Sequence, residues 1–184
     1  MKSISLFTVF AIPALFFASC GSPDGSEATV TEATTPVETV AATAYTVDTA
    51  ASLLTWQGSK VTGSNHVGTL KLSSGSLNTE GRNLVGGNFT IDMNSLDNTD
   101  LKGTDGHAKL VGHLKSDDFF SVATHPTATF EITGVTAKAG EAGATHEISG
   151  NLTIKGITKN LTFPATVSIS DDKVEATAEF FFDR

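Results

Sequence analysis

The chain has 184 residues, with 12 Lys and Arg against 20 Asp and Glu and a net charge of −8. That balance argues against a nucleic-acid partner, which needs a basic face to displace counterions from phosphates. A single cysteine, Cys20, leaves no intramolecular disulfide to form, so the fold must rest on its core.

MKSISLFTVFAIPALFFASC begins with one cation, Lys2, runs apolar over residues 4–18 and ends in small residues. This is the pattern of a secretory signal, and the apolar run is shorter than the roughly 20 residues a membrane-spanning helix needs. FASC resembles a bacterial lipobox. Residues 1–20 are therefore expected to be a lipoprotein-type signal peptide, with Cys20 kept as the first mature residue and carrying the lipid. The chain is expected in the cell envelope, lipid-anchored at a membrane on its periplasmic side.

Residues 21–44, GSPDGSEATVTEATTPVETVAATA, hold four acids, two prolines and no Lys, Arg or aromatic residue. So little apolar surface does not offset ordering entropy, and a disordered acidic tether is expected, reaching roughly 25 to 30 Å on average. Removing Lys2 and those four acids leaves residues 45–184 with eleven cations and sixteen acids, a net charge of −5. These 140 residues suffice for one domain with its own core.

Within that domain apolar residues recur at every second position. Phe89, Ile91 and Met93 share one face of GGNFTIDM, and Ala128, Phe130 and Ile132 one face of TATFEIT. Ile148, Leu152 and Ile154 do so in HEISGNLTI, as do Leu161, Phe163, Ala165, Val167 and Ile169 in LTFPATVSI. A last run takes in Val174, Ala176, Ala178, Phe180 and Phe182. Period two over so many segments predicts half-buried antiparallel strands, closed into a barrel or stacked as a sandwich. Turns are expected at SSGS (73–76), TEGRN (79–83), AGEAG (139–143) and SDDK (170–173).

Residues 105–121 break the alternation. Leu110, Val111 and Leu114 share a helical face in HAKLVGHLK, with Thr104 or Asp105 placed to cap it. Ser116 is expected to cap a second helical turn carrying Asp117 and Asp118 near its positive end. Phe119 and Phe120 then cover one end of the barrel, and Pro126 pushes His125 to extended geometry ahead of the next strand.

HLKSDDFFSVATHPTATFEITGV followed by SGNLTIKGITKNLTFPATVSI resembles the YceI-like family of bacterial polyisoprenoid-binding, lipocalin-like proteins. YTVDTAASLLTWQGSK from Tyr45 and EFFFDR at the other margin resemble it too, so the likeness covers residues 45–184. The resemblance implies an all-β fold, an eight-stranded antiparallel barrel around an apolar cavity that holds a long isoprenoid chain in some members. Members usually continue past the DR pair with further strands, which predicts an unpaired edge here and, through it, pairing with a second copy as a dimer.

Reactive chemistry finds little support. His66, His107, His113, His125 and His146 include no i, i+4 pair on one helix face, and HEISG has Gly150 where a zinc-protease motif needs its second histidine. DNTDLKGTDG (97–106) is acidic, yet the twelfth position of an EF-hand loop begun at Asp97 is Ala108, so a solvated loop is expected. There is no G-x-S-x-G elbow, no P-loop and no Rossmann glycine pattern. Neither enzyme activity, metal nor cofactor is expected.

The binding reading rests on apolar lining. Trp56, Phe89, Ile91, Met93, Phe130, Ile132, Leu152, Ile154, Leu161, Phe163, Val167, Phe180 and Phe182 are the expected cavity wall, although the face Trp56 uses is not set by its own strand. Gly63, Gly68, Gly86, Gly87 and Gly150 remove side chains that would otherwise fill the interior. The expected ligand is an amphiphilic, isoprenoid or quinone-like lipid. The rival reading is a solid-core envelope barrel whose surface serves protein partners.

Overall fold

A computed structural model of the protein describes residues 25–36, 42–59, 63–138 and 143–183. Cys20 and the signal lie outside the described residues, as do residues 139–142 of the expected AGEAG turn. Four long strands form the centre: β5 (Asn65–Glu80), β6 (Asn83–Asn98), β8 (His146–Ile154) and β9 (Ile157–Ile169), with β7 (Thr127–Ala137) between β6 and β8. Shorter strands flank them: β1 (Ser26–Glu27), β2 (Thr29–Glu32), β3 (Thr43–Thr46), β4 (Leu54–Ser59), β10 (Val174–Thr177) and β11 (Phe180–Phe181). The single helix described is α1 (Asp105–Lys115).

The main sheet runs β10-β9-β8-β7-β6-β5-β3, antiparallel throughout, with β4 also on β5 and β2 also on β9. It curls like a barrel without closing: among the described residues the β3/β4 edge and the β10/β2 edge share no strand pairing. The closed eight-stranded barrel is thus corrected to an open one with a seam. Exposed contacts reach across the seam, Arg82 to Asp171 at 3.4 Å and the Tyr45 hydroxyl to the Asp171 carbonyl at 3.5 Å.

Local chemistry explains the connections. Gly81, with φ of 61°, turns β5 into β6 as the TEGRN segment predicts, and Ser170 and Lys173 close the β9–β10 turn through a 2.8 Å backbone bond. Lys155 (φ 52°) and Gly156 (φ 74°) make a two-residue turn between β8 and β9, the geometry that matches the twist of a hairpin. SSGS does not turn. Residues 73–76 lie inside β5, where the register against β6 slips between Leu72 and Ser74, so the small residues accommodate a bulge.

The predicted helix is present, but its caps work differently from expectation. Thr104 stands at the N-cap with extended backbone, yet its hydroxyl donates to the Leu101 carbonyl at 2.8 Å and makes no cap bond. Ser116 is the C-terminal cap residue of α1, and its hydroxyl donates to the His113 carbonyl at 2.7 Å instead of accepting from a following amide. In the turn beyond, the Asp117 carboxylate accepts from the Ser121 hydroxyl at 2.6 Å, beside Ser121 at φ 50°. Pro126 leads into β7 as predicted, its carbonyl accepting from the Met93 amide at 3.0 Å.

Two further corrections concern the edges. Ser26–Glu27, Thr29–Glu32 and the first two residues of β3, Thr43 and Ala44, all expected within a disordered tether, lie in strands, and Ala28, between β1 and β2, is 5 % exposed. The alternating run 174–182 does not stay in one strand. β10 holds Thr166–Ile169 of β9, whereas β11 leaves the sheet to pair in parallel with β1. The part of the β9 edge left over, Lys159 to Thr162, is covered by β2 rather than left unpaired.

Candidate ligand-binding interior

The inward faces form two apolar clusters. One gathers Leu77, Leu84, Ile132, Ile148, Leu161, Phe163, Ala165 and Val167 with the half-buried Phe89, Phe130, Leu152, Phe180 and Phe182. The other lies under α1 and gathers Met93, Leu96, Leu114, Val122 and Ala128 with Trp56, Leu70, Ile91, Phe119, Phe120 and Ile154. Strand β6 joins them, contributing Leu84 to the first and Met93 and Leu96 to the second. Every residue of the expected cavity wall falls in one cluster or the other, because strict alternation puts them on the concave face.

Within the first cluster the phenylalanines form a row across the sheet. Phe89 on β6 lies opposite Phe130 on β7, with ring centroids 6.4 Å apart. Phe130 reaches past β8 to Phe163 on β9 at 5.7 Å, Phe163 stacks on Phe180 at 4.0 Å, and Phe180 lies 6.3 Å from Phe182. Gly150 makes the long step possible, since a Cβ there would fall inside the Phe130 ring. The row thus runs from the middle of the sheet to the seam.

Gly68 does the same under α1. A Cβ on it would collide with the Asp97 carbonyl and with the Trp56 indole, whose nitrogen donates to that carbonyl at 3.2 Å. Gly87 closely approaches the Ser76 carbonyl of β5. The inference from glycine to empty space is therefore corrected: Gly68 and Gly150 make room for aromatic rings, and Gly87 lets strands approach. Gly63 and Gly86 meet little or nothing within 4 Å, and neither faces the phenylalanine row.

An ion-paired polar cluster lies at the α1 end. Asp97 pairs with Lys102 at 3.0 Å and His107 at 2.8 Å, and Asp100 with His66 at 2.8 Å. Asn98, fully buried, donates to the Val67 carbonyl at 2.9 Å and accepts from the Leu101 amide at 3.0 Å. The Lys102 ammonium, then His107, hold the Asp97 carboxyl below the usual range. The hydrogen bond from His66, then that from the Val67 amide, take Asp100 down to about 2. DNTDLKGTDG is thus exposed at Thr99, Asp100 and Lys102 to Asp105, as expected of a solvated loop, but it is fixed in place by these bonds and by the buried Asn98. Its asparagine and aspartates bind the ends of β5 and β6 together, which composition alone did not reveal.

Among the described residues no group of three or more His, Cys, Asp or Glu side chains is placed to hold a metal ion. Two surface grooves are present: about 520 Å³ beside α1, bordered by Lys71, Lys102 and Lys115, and about 380 Å³ along β1 and β2, bordered by Val30 and Asp183. Neither is lined by the phenylalanine row. Sequence reading missed Leu77 and Leu84, which flank the TEGRN turn at positions an alternation count from that turn would have found. It also missed Asn151 and Asn160, opposite each other on β8 and β9, for which no sequence signal existed.

An open, curled antiparallel sheet with one helix at its end and an aromatic interior defines a lipocalin-like fold. The YceI-like domain matches residues 45–184, and the chain belongs to that family. It is 43% identical over 76 residues to a UPF0312 protein of Pseudomonas aeruginosa (strain LESB58), covering 41% of this chain and 34% of that protein. It is 40% identical over 78 residues to Protein YceI of Salmonella arizonae, covering 42% of this chain and 35% of that protein. The matched part thus spans about a third of the length of these relatives. In three dimensions it is similar to Burkholderia cenocepacia BcnA, with a TM-score of 0.51 and 25% identity over 67% of this chain and 72% of that one.

Proposed function

We propose that the protein is an envelope lipoprotein that binds, and carries, a long-chain amphiphilic lipid of polyisoprenoid or quinone-like kind. The observation that carries this reading is the phenylalanine row, which leads continuously from Phe89 to Phe182 and ends at the seam of an unclosed barrel. A lipid chain laid along it would gain about 0.8 kcal/mol for each methylene buried, less the entropy of ordering the chain. The family resemblance supports the ligand class, and the signal pattern ending at Cys20 supports anchoring at the periplasmic side of a membrane. No step of chemical catalysis is assigned to any residue.

A second reading has its own support. Trp56 and Phe130 fill the places opened by Gly68 and Gly150, which favours a solid interior and a barrel whose outer surface meets protein partners. Native mass spectrometry of the full protein purified from its own host separates the two. A co-purifying hydrophobic mass, lost or shortened in Phe130→Ala and Phe163→Ala, is the expected result. A bare polypeptide mass, together with no saturable uptake of a fluorescent prenyl or quinone analogue, overturns the carrier in favour of the solid barrel. Anchoring is checked separately by membrane fractionation, where Cys20→Ser should move the processed chain to the soluble fraction.

A further inference from the structure

Residues 26–34 precede the part of the chain matched by the family domain, yet they are held in place along their whole length. Ser26 and Glu27 pair with Phe180 and Phe181, and the Ala28 amide donates to the Phe181 carbonyl at 2.8 Å. Thr29 to Glu32 pair with Thr162 to Lys159, with an ion pair between Glu32 and Lys159. Further on, the Asn151 side chain accepts from the Thr34 amide at 3.0 Å and donates to the Thr34 carbonyl at 2.6 Å, acting as a neighbouring strand's main chain would. Asn160, 4 % exposed, donates to the Thr34 hydroxyl at 3.0 Å, which fixes the cradle from below.

This placement changes what an anchor at Cys20 would do. A leash running from Cys20 to β3 at Thr43 has 23 residues and spans up to roughly 80 Å when extended. With residues 26–34 docked, only five steps separate Cys20 from Gly25, a reach of at most about 18 Å in any conformation. Gly25 lies against Glu179, next to Phe180.

We propose that residues 26–34 are an orienting clip that turns the Phe180 to Phe182 end of the barrel, with its seam, toward a phospholipid bilayer and the α1 end away from it. The proposal rests on the anchoring reading above and deepens it by naming the surface that meets the membrane. A lipid leaving the bilayer would then meet the open end of the phenylalanine row directly. Glu27, Glu179 and Asp183 at that end are exposed and offer an anionic bilayer no attraction, so the short leash and not surface charge supplies the orientation.

The test uses the full chain, processed in a bacterial host and reconstituted into phosphatidylcholine vesicles that carry a rhodamine-labelled lipid. Ala178→Cys and Lys109→Cys, both at exposed positions, each supply one thiol for a donor dye, beside the clip and on α1 respectively. Energy transfer to the bilayer should be severalfold greater from position 178 than from 109. Val30→Pro with Thr31→Pro removes successive backbone donors from β2 and leaves residues 45–184 untouched, so the difference should collapse while circular dichroism stays unchanged. Equal transfer from both positions in the vesicle-bound wild type, or a difference that survives the prolines, overturns the clip. Processed protein that carries no lipid on Cys20 and floats free of the vesicles overturns the anchoring reading itself, and the orientation with it.

Discussion

At the end around Met93, Leu96 and Leu114 the core is covered by an eleven-residue helix, and the strands below it are bound together by Asn98, Asp97 and Asp100. At the end around Leu77, Leu84 and Phe163 it is covered by strands of two to four residues, with Phe180 and Phe182 half exposed and Val30 43 % exposed. A helix satisfies its own backbone hydrogen bonds and can close a barrel as a plug. Short strands depend on an edge for theirs, so they close it only as firmly as that edge holds them. The two ends therefore differ in how easily they open, and the aromatic row leads to the weaker one.

The largest effect should come from removing the middle of that row. Phe163→Ala deletes a ring that is 7 % exposed and stacked on Phe180, and should cost about 3 to 5 kcal/mol in urea denaturation. A cost under about 1 kcal/mol would show that the row is a loose wall and not part of the packed core.

The next comparison sets the two glycines against each other. Gly68→Ala drives a methyl into the Asp97 carbonyl, which cannot yield without moving β6, whereas Gly150→Ala meets the rotatable Phe130 ring. Both should destabilise by about 1 to 3 kcal/mol, with Gly68 the costlier by thermal denaturation. The reverse order would place the more rigid packing at the seam end.

Acid should act on the helix end. Asp97 and Asp100 have their carboxyls held below the ordinary range, Asp100 at about 2, so each stabilises the fold while ionised above about pH 4. That contribution is lost as the pH falls through the folded-state value. Between about pH 4 and pH 2 the melting temperature of the wild type should drop more steeply than that of Asp100→Asn, which has no such proton to take up. Parallel pH profiles would remove this corner from the account of acid stability. Smallest of all should be Ser116→Ala, which loses one hydrogen bond at a helix C-terminus and should stay within about 0.5 kcal/mol of wild type in the same denaturation experiment.

Periodicity alone marked β6 to β9, most of their inward residues and the helix at 105–115, because a period of two or of 3.6 is a property of the chain read locally, whereas β5 was hidden behind the turn-like SSGS. Pro126 and the turns at 79–83 and 170–173 were equally legible, since a fixed φ or a glycine acts on its own neighbours. The family likeness was carried chiefly by residues 113–135 and 149–169, where these local signals lie close together. Only the tertiary structure decided the rest. The turn after Ser116 is present, but the Ser116 hydroxyl bonds back to the His113 carbonyl of the helix it ends rather than forward to an amide of that turn. Gly68 and Gly150 admit rings that arrive from other strands, and a glycine cannot announce what will occupy its space. Residues 26–34 carry too little apolar surface to order themselves. They are ordered by unpaired main-chain groups of β9 and the side chains of Asn151 and Asn160, more than a hundred residues away, and such an edge exists only once the sheet has formed.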